Sequence, residues 1–315
     1  MTAPAVNATP GLYVSSITHE LGEPVAVDEV AELVVRGHVA LLRKEGVTTC
    51  RATDRPLPVL AATVATRALR HARLTDVDLV VYCSEESHNT PGRNLNDFAC
   101  ASGLLTTPAV ALGGNGCSNL TEALLVAYGR LRLGSHDILV TTADRADDGD
   151  RWVALGATVG SDAAAACLVR DAPSPAAFLV HGVARTTDNR VDTQGGATTV
   201  ARATTRALRS TVDALLGELG VDRAEIAAVV GANYGETSRR FLAMAAGTGT
   251  QAVLAPTVED AGHCFSADVL MNLEWLRAAG RLPADRPVLL LATGPTSWSA
   301  AVLTLTGCTP AGDAT

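Results

Sequence analysis

Two long stretches of this sequence follow one plan, and that duplication constrains the fold more than any single residue. "SNLTEALLVAYGRLRLGSHDILVTTA", from Ser118, is a helical pattern, a glycine turn and a β-rich run. "SADVLMNLEWLRAAGRLPADRPVLLLATG", from Ser266, repeats the plan. The match extends outward, with "VDLVVYCSE" paired to "EIAAVVGAN" and "DAAAACLVR" paired to "WSAAVLTLTG". Such self-similarity fixes an architecture. The short β-branched runs read as buried strands, and Leu120, Ala123, Leu124, Ala127 and Leu131 recur at helical spacing. "AAFLVHGVAR" follows Asp162–Arg170 through a "DAPSP" turn, a long helix closes on Gly220, and "GETSRRFLAMAAG" is a further helix. This order is an α/β pattern. Two halves, 1–172 and 173–315, related by a pseudo-two-fold would bring equivalent helix starts together at their interface. The first such start carries Cys117 and the second carries His263.

The bulk numbers exclude several classes. The 315 residues are 47% hydrophobic, enough for a large core. A net charge of −8 argues against a nucleic-acid partner, because phosphate contacts need a basic face. No apolar run reaches membrane-spanning length, and "MTAPAVNATPGLYVSS" lacks the basic start and apolar run of a signal peptide. The seven scattered cysteines (Cys50, Cys83, Cys100, Cys117, Cys167, Cys264 and Cys308) include no CxxC pair, so neither a disulfide framework nor a metal site is expected. The expectation is a cytoplasmic chain whose thiols are mostly small buried hydrophobes.

Cys117 differs from the others in its place. It follows Gly113, Gly114 and Gly116 and directly precedes a helix. A thiol attacks as the thiolate, and the start of a helix offers partial positive charge and unpaired N–H groups. The glycines would let the backbone turn sharply and leave amides free for an oxyanion. The residues alone leave both a nucleophile and a buried core cysteine open. Cys264 is the rival thiol, but its neighbour His263 holds the more telling position.

The duplicated α/β chain with "GC" opening a central helix resembles the thiolase superfamily, and within it the ketoacyl-acyl-carrier-protein synthase III group. The marks, covering nearly the whole chain, are "GNGCSNLTEAL", "GSDAAAACLV", "GHCFSAD" and "TGPTSWSAAVL". The resemblance implies a five-layered αβαβα fold, a homodimer, and Cys117 as nucleophile. Relatives of this type use Cys, His and Asn, the last two stabilising the enolate formed when a malonyl thioester loses CO2. This sequence departs from both. Where the group has an "HQAN"-like phrase, it reads "GANYGETS", with no histidine from Gly231 to Gly235. Where the group has "GN", it has Gly262 then His263. Asn233 offers an amide near the absent histidine.

A histidine titrating near neutral pH suits general-base work. His263 could take the proton from an alcohol or amine that then attacks an acyl-cysteine. Asp268, five residues on, is the candidate to orient the imidazole. Within one helix five residues rotate through about 500°, so a helix-capping role for Asp268 stays open. This altered set resembles the acyltransferase branch of the group, which makes C–O bonds on natural products. The resemblance further implies an acyl donor on coenzyme A or an acyl carrier protein, with no tightly bound cofactor. Arg151, Trp152 and Arg51 are candidates for coenzyme A contact, and Arg239 and Arg240 for the carrier protein. Ser84–Gly103 stands where relatives form dimer contacts and a wall of the partner's acyl pocket. The other six histidines read as structural. Two further readings remain, a C–C condensing enzyme with a rebuilt decarboxylation site and an inactive partner subunit.

Overall fold

The computed structural model describes residues 6–85, 91–147, 149–193, 196–249 and 252–307. Among the described residues, nine strands join in one sheet. They are β1 (Val6–Leu21), β2 (Leu79–Cys83), β3 (Ala109–Leu112), β4 (Asp137–Asp144), β5 (Ala163–Arg170), β6 (Phe178–Thr187), β7 (Ala228–Val230), β8 (Val288–Thr293) and β9 (Ser297–Leu305). The layer-forming helices are α1 (Leu57–Ala72), α2 (Pro91–Ser102), α3 (Asn119–Arg132), α4 (Ala197–Leu219), α5 (Glu236–Ala246) and α6 (Ala267–Ala278).

The sheet order is β7-β8-β9-β6-β1-β5-β4-β2-β3, and its pattern repeats about the centre. Either side of the antiparallel β1–β6 pair, each half runs outward through two antiparallel neighbours to a parallel pair. The first half adds β3 at its edge. In the second half the equivalent place is a single parallel bridge between Val230 and Leu254.

Burial explains the apolar runs. Val80 and Tyr82 pack with Leu60 and Val64 of α1, whereas Val81 and Cys83 pack into the layer of α3 and α6. Likewise Leu289 and Leu291 pack with Leu208 and Val212 of α4, while Val288 and Leu290 face the central layer. A strand covered on both faces reads as a continuous hydrophobic run rather than an alternating one. Helix α6 is buried over most of its length, so it has no polar stripe. The layers are therefore helices, the first half's strands, α3 with α6, the second half's strands, and helices again, the αβαβα order expected. Helix α4 ends where Gly220 takes a left-handed φ of 64°.

Cys50, Cys83, Cys117, Cys167 and Cys264 are buried and Cys100 is exposed. Cys308, His88 and part of Ser84–Gly103 lie outside the described residues. Among the described residues no helix is long and apolar enough to cross a membrane.

Candidate active site

Cys117 lies in the tight turn Gly116–Ser118 that opens α3. Gly116 is required there: its φ is +57°, and an added Cβ would sit 3.1 Å from the Gly294 Cα. The turn is tied to the other half of the chain. Ser118 Oγ donates to the Ala292 carbonyl at 3.2 Å, and Ser266 Oγ donates to the Gly116 carbonyl at 3.1 Å. Cys117 is 3% exposed, and its Sγ is 3.4 Å from His263 Nε2. The two helix starts do meet.

His263 precedes α6 in a loop stitched to the first half. Its N–H donates to the Val159 carbonyl at 2.8 Å, and its carbonyl accepts from Ser161 N–H at 2.9 Å. Gly262 has a φ of +62°, and a Cβ there would meet Ser161 Oγ at 2.6 Å. On the far side of the ring, His263 Nδ1 is 2.6 Å from Asp268 Oδ2. A carboxylate at Nδ1 assigns that nitrogen the proton and leaves Nε2 to accept one from sulfur. Burial opposes the imidazolium, but the facing Cys117 and Asp268 outweigh it and raise the His263 pKa well above its ordinary value. The histidine is thus a strong base toward the thiol.

Asp268 orients His263 because the histidine lies outside the helix, so the helical rotation between the two does not apply. The carboxylate turns back, accepting also from Cys264 N–H at 2.7 Å and Asn233 N–H at 2.8 Å. The residue preceding α6 is Ser266, so Asp268 is not the helix cap.

Asn233 takes a different place from the one expected. Its side-chain amide donates to the Gly262 carbonyl at 2.8 Å and Thr257 Oγ1 at 3.0 Å, and its oxygen accepts from Asn272 Nδ2 at 2.9 Å. The amide is saturated and buried, and supports the loop that carries His263. The next residue, Tyr234, is the one beside Cys117. Its hydroxyl lies 3.7 Å from Cys117 Sγ and donates to the Thr293 carbonyl at 3.3 Å. Burial first, and the neighbouring sulfur second, push the phenol pKa well up, so it remains a donor. The sequence signal was the Tyr in "GANYGETS", one residue beyond the position singled out.

The glycine loop also differs from expectation. Its amides are not free. Gly114, Asn115 and Gly116 N–H all donate to Glu85 Oε1, at 2.8, 3.1 and 3.0 Å. Asn119 Nδ2 donates to the same oxygen. The Cys117 N–H, next in the chain, is not among the amides that converge on Glu85.

The arginines expected to bind ligands make internal contacts. Arg151 is 8% exposed, paired to Asp162 at 3.1 Å and bonded to the carbonyls of Arg51 and Gly160. Trp152 stacks on His38 at 4.2 Å, and Arg51 Nε donates to the Asp260 carbonyl. Arg239 is folded onto the Tyr234 and Val253 carbonyls, and Arg240 pairs with Glu236 on the surface. None of these five lines the cavity above the site. That cavity, about 440 Å³, reaches Cys117 and His263 and is walled by apolar groups such as Val200, Phe241, Leu242 and Trp298.

No protein-family model matches the chain, and no curated protein sequence matches it. Solved structures do. The chain is similar to 3-oxoacyl-(acyl carrier protein) synthase III, FabH, of Pseudomonas aeruginosa PAO1, with a TM-score of 0.79 and 18% identity over 95% of this chain and 100% of that one. Against the acyltransferase ChlB3 the TM-score is 0.79 at 20% identity, covering 95% of this chain and 99% of that one. Against acetamide-bound OleA of Xanthomonas campestris it is 0.77 at 16% identity, covering 93% and 98%. Identities this low speak to architecture, and the architecture is plain: the chain has the thiolase fold.

Proposed function

We propose that this protein is a thioester-dependent acyltransferase that works through an acyl-Cys117 intermediate. The Cys117 thiol passes its proton to His263 Nε2 and the sulfur attacks the carbonyl of an acyl thioester on coenzyme A or a carrier protein. A C–S bond forms, the donor's C–S bond breaks, and the leaving thiolate takes the proton from the imidazolium. A hydroxyl or amine of the acceptor then gives its proton to the same nitrogen as its oxygen or nitrogen attacks the acyl-cysteine. The Cys117 sulfur leaves and the site is restored. Asp268 holds the imidazole and offsets its charge in both steps. The Cys117 N–H is a donor at the sulfur for the tetrahedral oxyanion, and the Tyr234 hydroxyl joins it by turning from the Thr293 carbonyl. A homodimer and a natural-product acceptor belong to the same proposal.

One observation carries this reading. Sulfur, imidazole and carboxylate form an unbroken chain at the foot of an apolar cavity. The Asn233 amide, which a rebuilt decarboxylating site would need, is turned inward and saturated. The likeness to ChlB3 supports acyl transfer, and the likeness to FabH supports a condensing alternative. The two are separated by giving the acylated protein malonyl-carrier protein or small alcohols and amines. Ester or amide formation without CO2 release is expected. CO2 release with a new C–C bond would establish the condensing reaction instead.

A further inference from the structure

Glu85 stands at the end of β2, far from α3 in sequence, yet its carboxylate is the hub of the loop before Cys117. Three successive N–H groups converge on one of its oxygens. Gly114 and Gly116, at φ +81° and +57°, give the loop the left-handed turns that aim consecutive amides at one point. Such a nest is an anion site by construction, reinforced by the positive end of the helix behind it. Here the anion is internal. Glu85 is itself fixed, because its N–H donates to Asp144 Oδ1 at 2.6 Å.

We propose that Glu85 is a positioning residue for Cys117: its carboxylate fills the nest, fixes the loop, and offsets the positive helix end so that the sulfur relies on His263 for its ionisation. The inference rests on Cys117 being the nucleophile. Four groups bear on the sulfur's charge besides Glu85. His263 and Tyr234 contact it, Asp268 stands behind His263, and Asp144 stands behind Glu85. A negative charge close to a thiol disfavours the thiolate, and an opposite charge favours it. Glu85 therefore removes the loop's own contribution to the thiolate and leaves the imidazole as the source of reactivity.

The test is the rate of Cys117 alkylation by iodoacetamide at pH 7, read by peptide mass, with Cys117→Ala as background and thermal melting to confirm folding. Glu85→Gln keeps a carbonyl oxygen for the amides and loses the charge. It should alkylate about three to ten times faster, the size expected of removing one nearby charge in a polarisable site. Glu85→Ala should also be faster, and added formate, by refilling the nest, should return it saturably toward the wild-type rate. A merely structural role would give no recovery with formate. Rates within twofold of wild type in the folded variants, or no response of Glu85→Ala to formate, would overturn the proposal. If Glu85→Ala does not fold, the Glu85→Gln rate decides alone. Failure of native wild-type Cys117 to alkylate, while the denatured chain does so, would instead sink the nucleophile reading itself.

Discussion

The two helix heads that meet at the site solve one problem in opposite ways. Each must hold a carboxylate close to a buried polar loop. In the first half the residue after the strand, Glu85, supplies the carboxylate, and the glycine loop ahead of α3 supplies the N–H donors. In the second half α6 supplies the carboxylate, Asp268, and the residue after the strand, Asn233, supplies an N–H donor. The internal match pairs "VDLVVYCSE" with "EIAAVVGAN", so Glu85 and Asn233 occupy corresponding places. The corresponding places carry a carboxylate in one half and an amide in the other. One head sets Cys117 beside a loop whose amides are filled by a carboxylate, and the other holds an imidazole whose basicity its neighbours raise.

The comparison breaks most visibly at the base. His263→Ala should lower transfer from the loaded protein to acceptor by about 10²–10⁴-fold in single-turnover assays, the usual range for losing a general base. Transfer at the wild-type rate would remove His263 from the mechanism. Asp268→Asn should fall in the same range, up to about 10⁴-fold, because an amide behind Nδ1 favours the wrong imidazole tautomer. It should also move the acid limb of transfer to lower pH, because Asp268 is one of the groups that raise the His263 pKa. An unmoved limb would mean that the carboxylate only supports the loop.

Asn233→Ala sharpens the contrast between a chemical and a supporting residue. It removes the hydrogen bonds to Gly262 and Thr257 and strands Asn272 Nδ2 on one side. A loss of about 1–3 kcal/mol in urea unfolding is expected, with Cys117 still able to load. The last contrast concerns Asp144, where burial first, and Glu85 among lesser causes, push the carboxyl up to about 7. Its folded pKa exceeds its unfolded value, so the folded state favours the proton. That contribution is full below about pH 4 and is lost as pH rises toward 7. Wild-type stability should fall relative to Asp144→Asn by about 1 kcal/mol per pH unit across that window. Parallel stability profiles would show that Asp144 is already ionised in the fold.

Much of this was legible in the sequence, for physical reasons. Strands covered on both faces announce themselves as apolar runs, and the repeated helix starts pointed to Cys117 and His263 as neighbours. Other features needed the third dimension. Asp268 is ambiguous in the sequence because nothing local tells that His263 lies outside the helix. Arg151 looked available because a lone arginine does not show which way it turns, and its partner Asp162 became its neighbour through the fold. Glu85 was in view in the internal match. Its role required knowing that the end of β2 closes on the glycine loop about thirty residues later, a contact that no local pattern encodes.

The central claim is that Cys117 carries the acyl group. Incubation with an acyl-CoA or acyl-carrier donor, rapid acid quench and peptide mass mapping read it directly. The account predicts one acyl mass on the peptide holding Cys117, absent from Cys117→Ala and released by hydroxylamine. No acyl mass there with either type of donor, in folded protein, would contradict it.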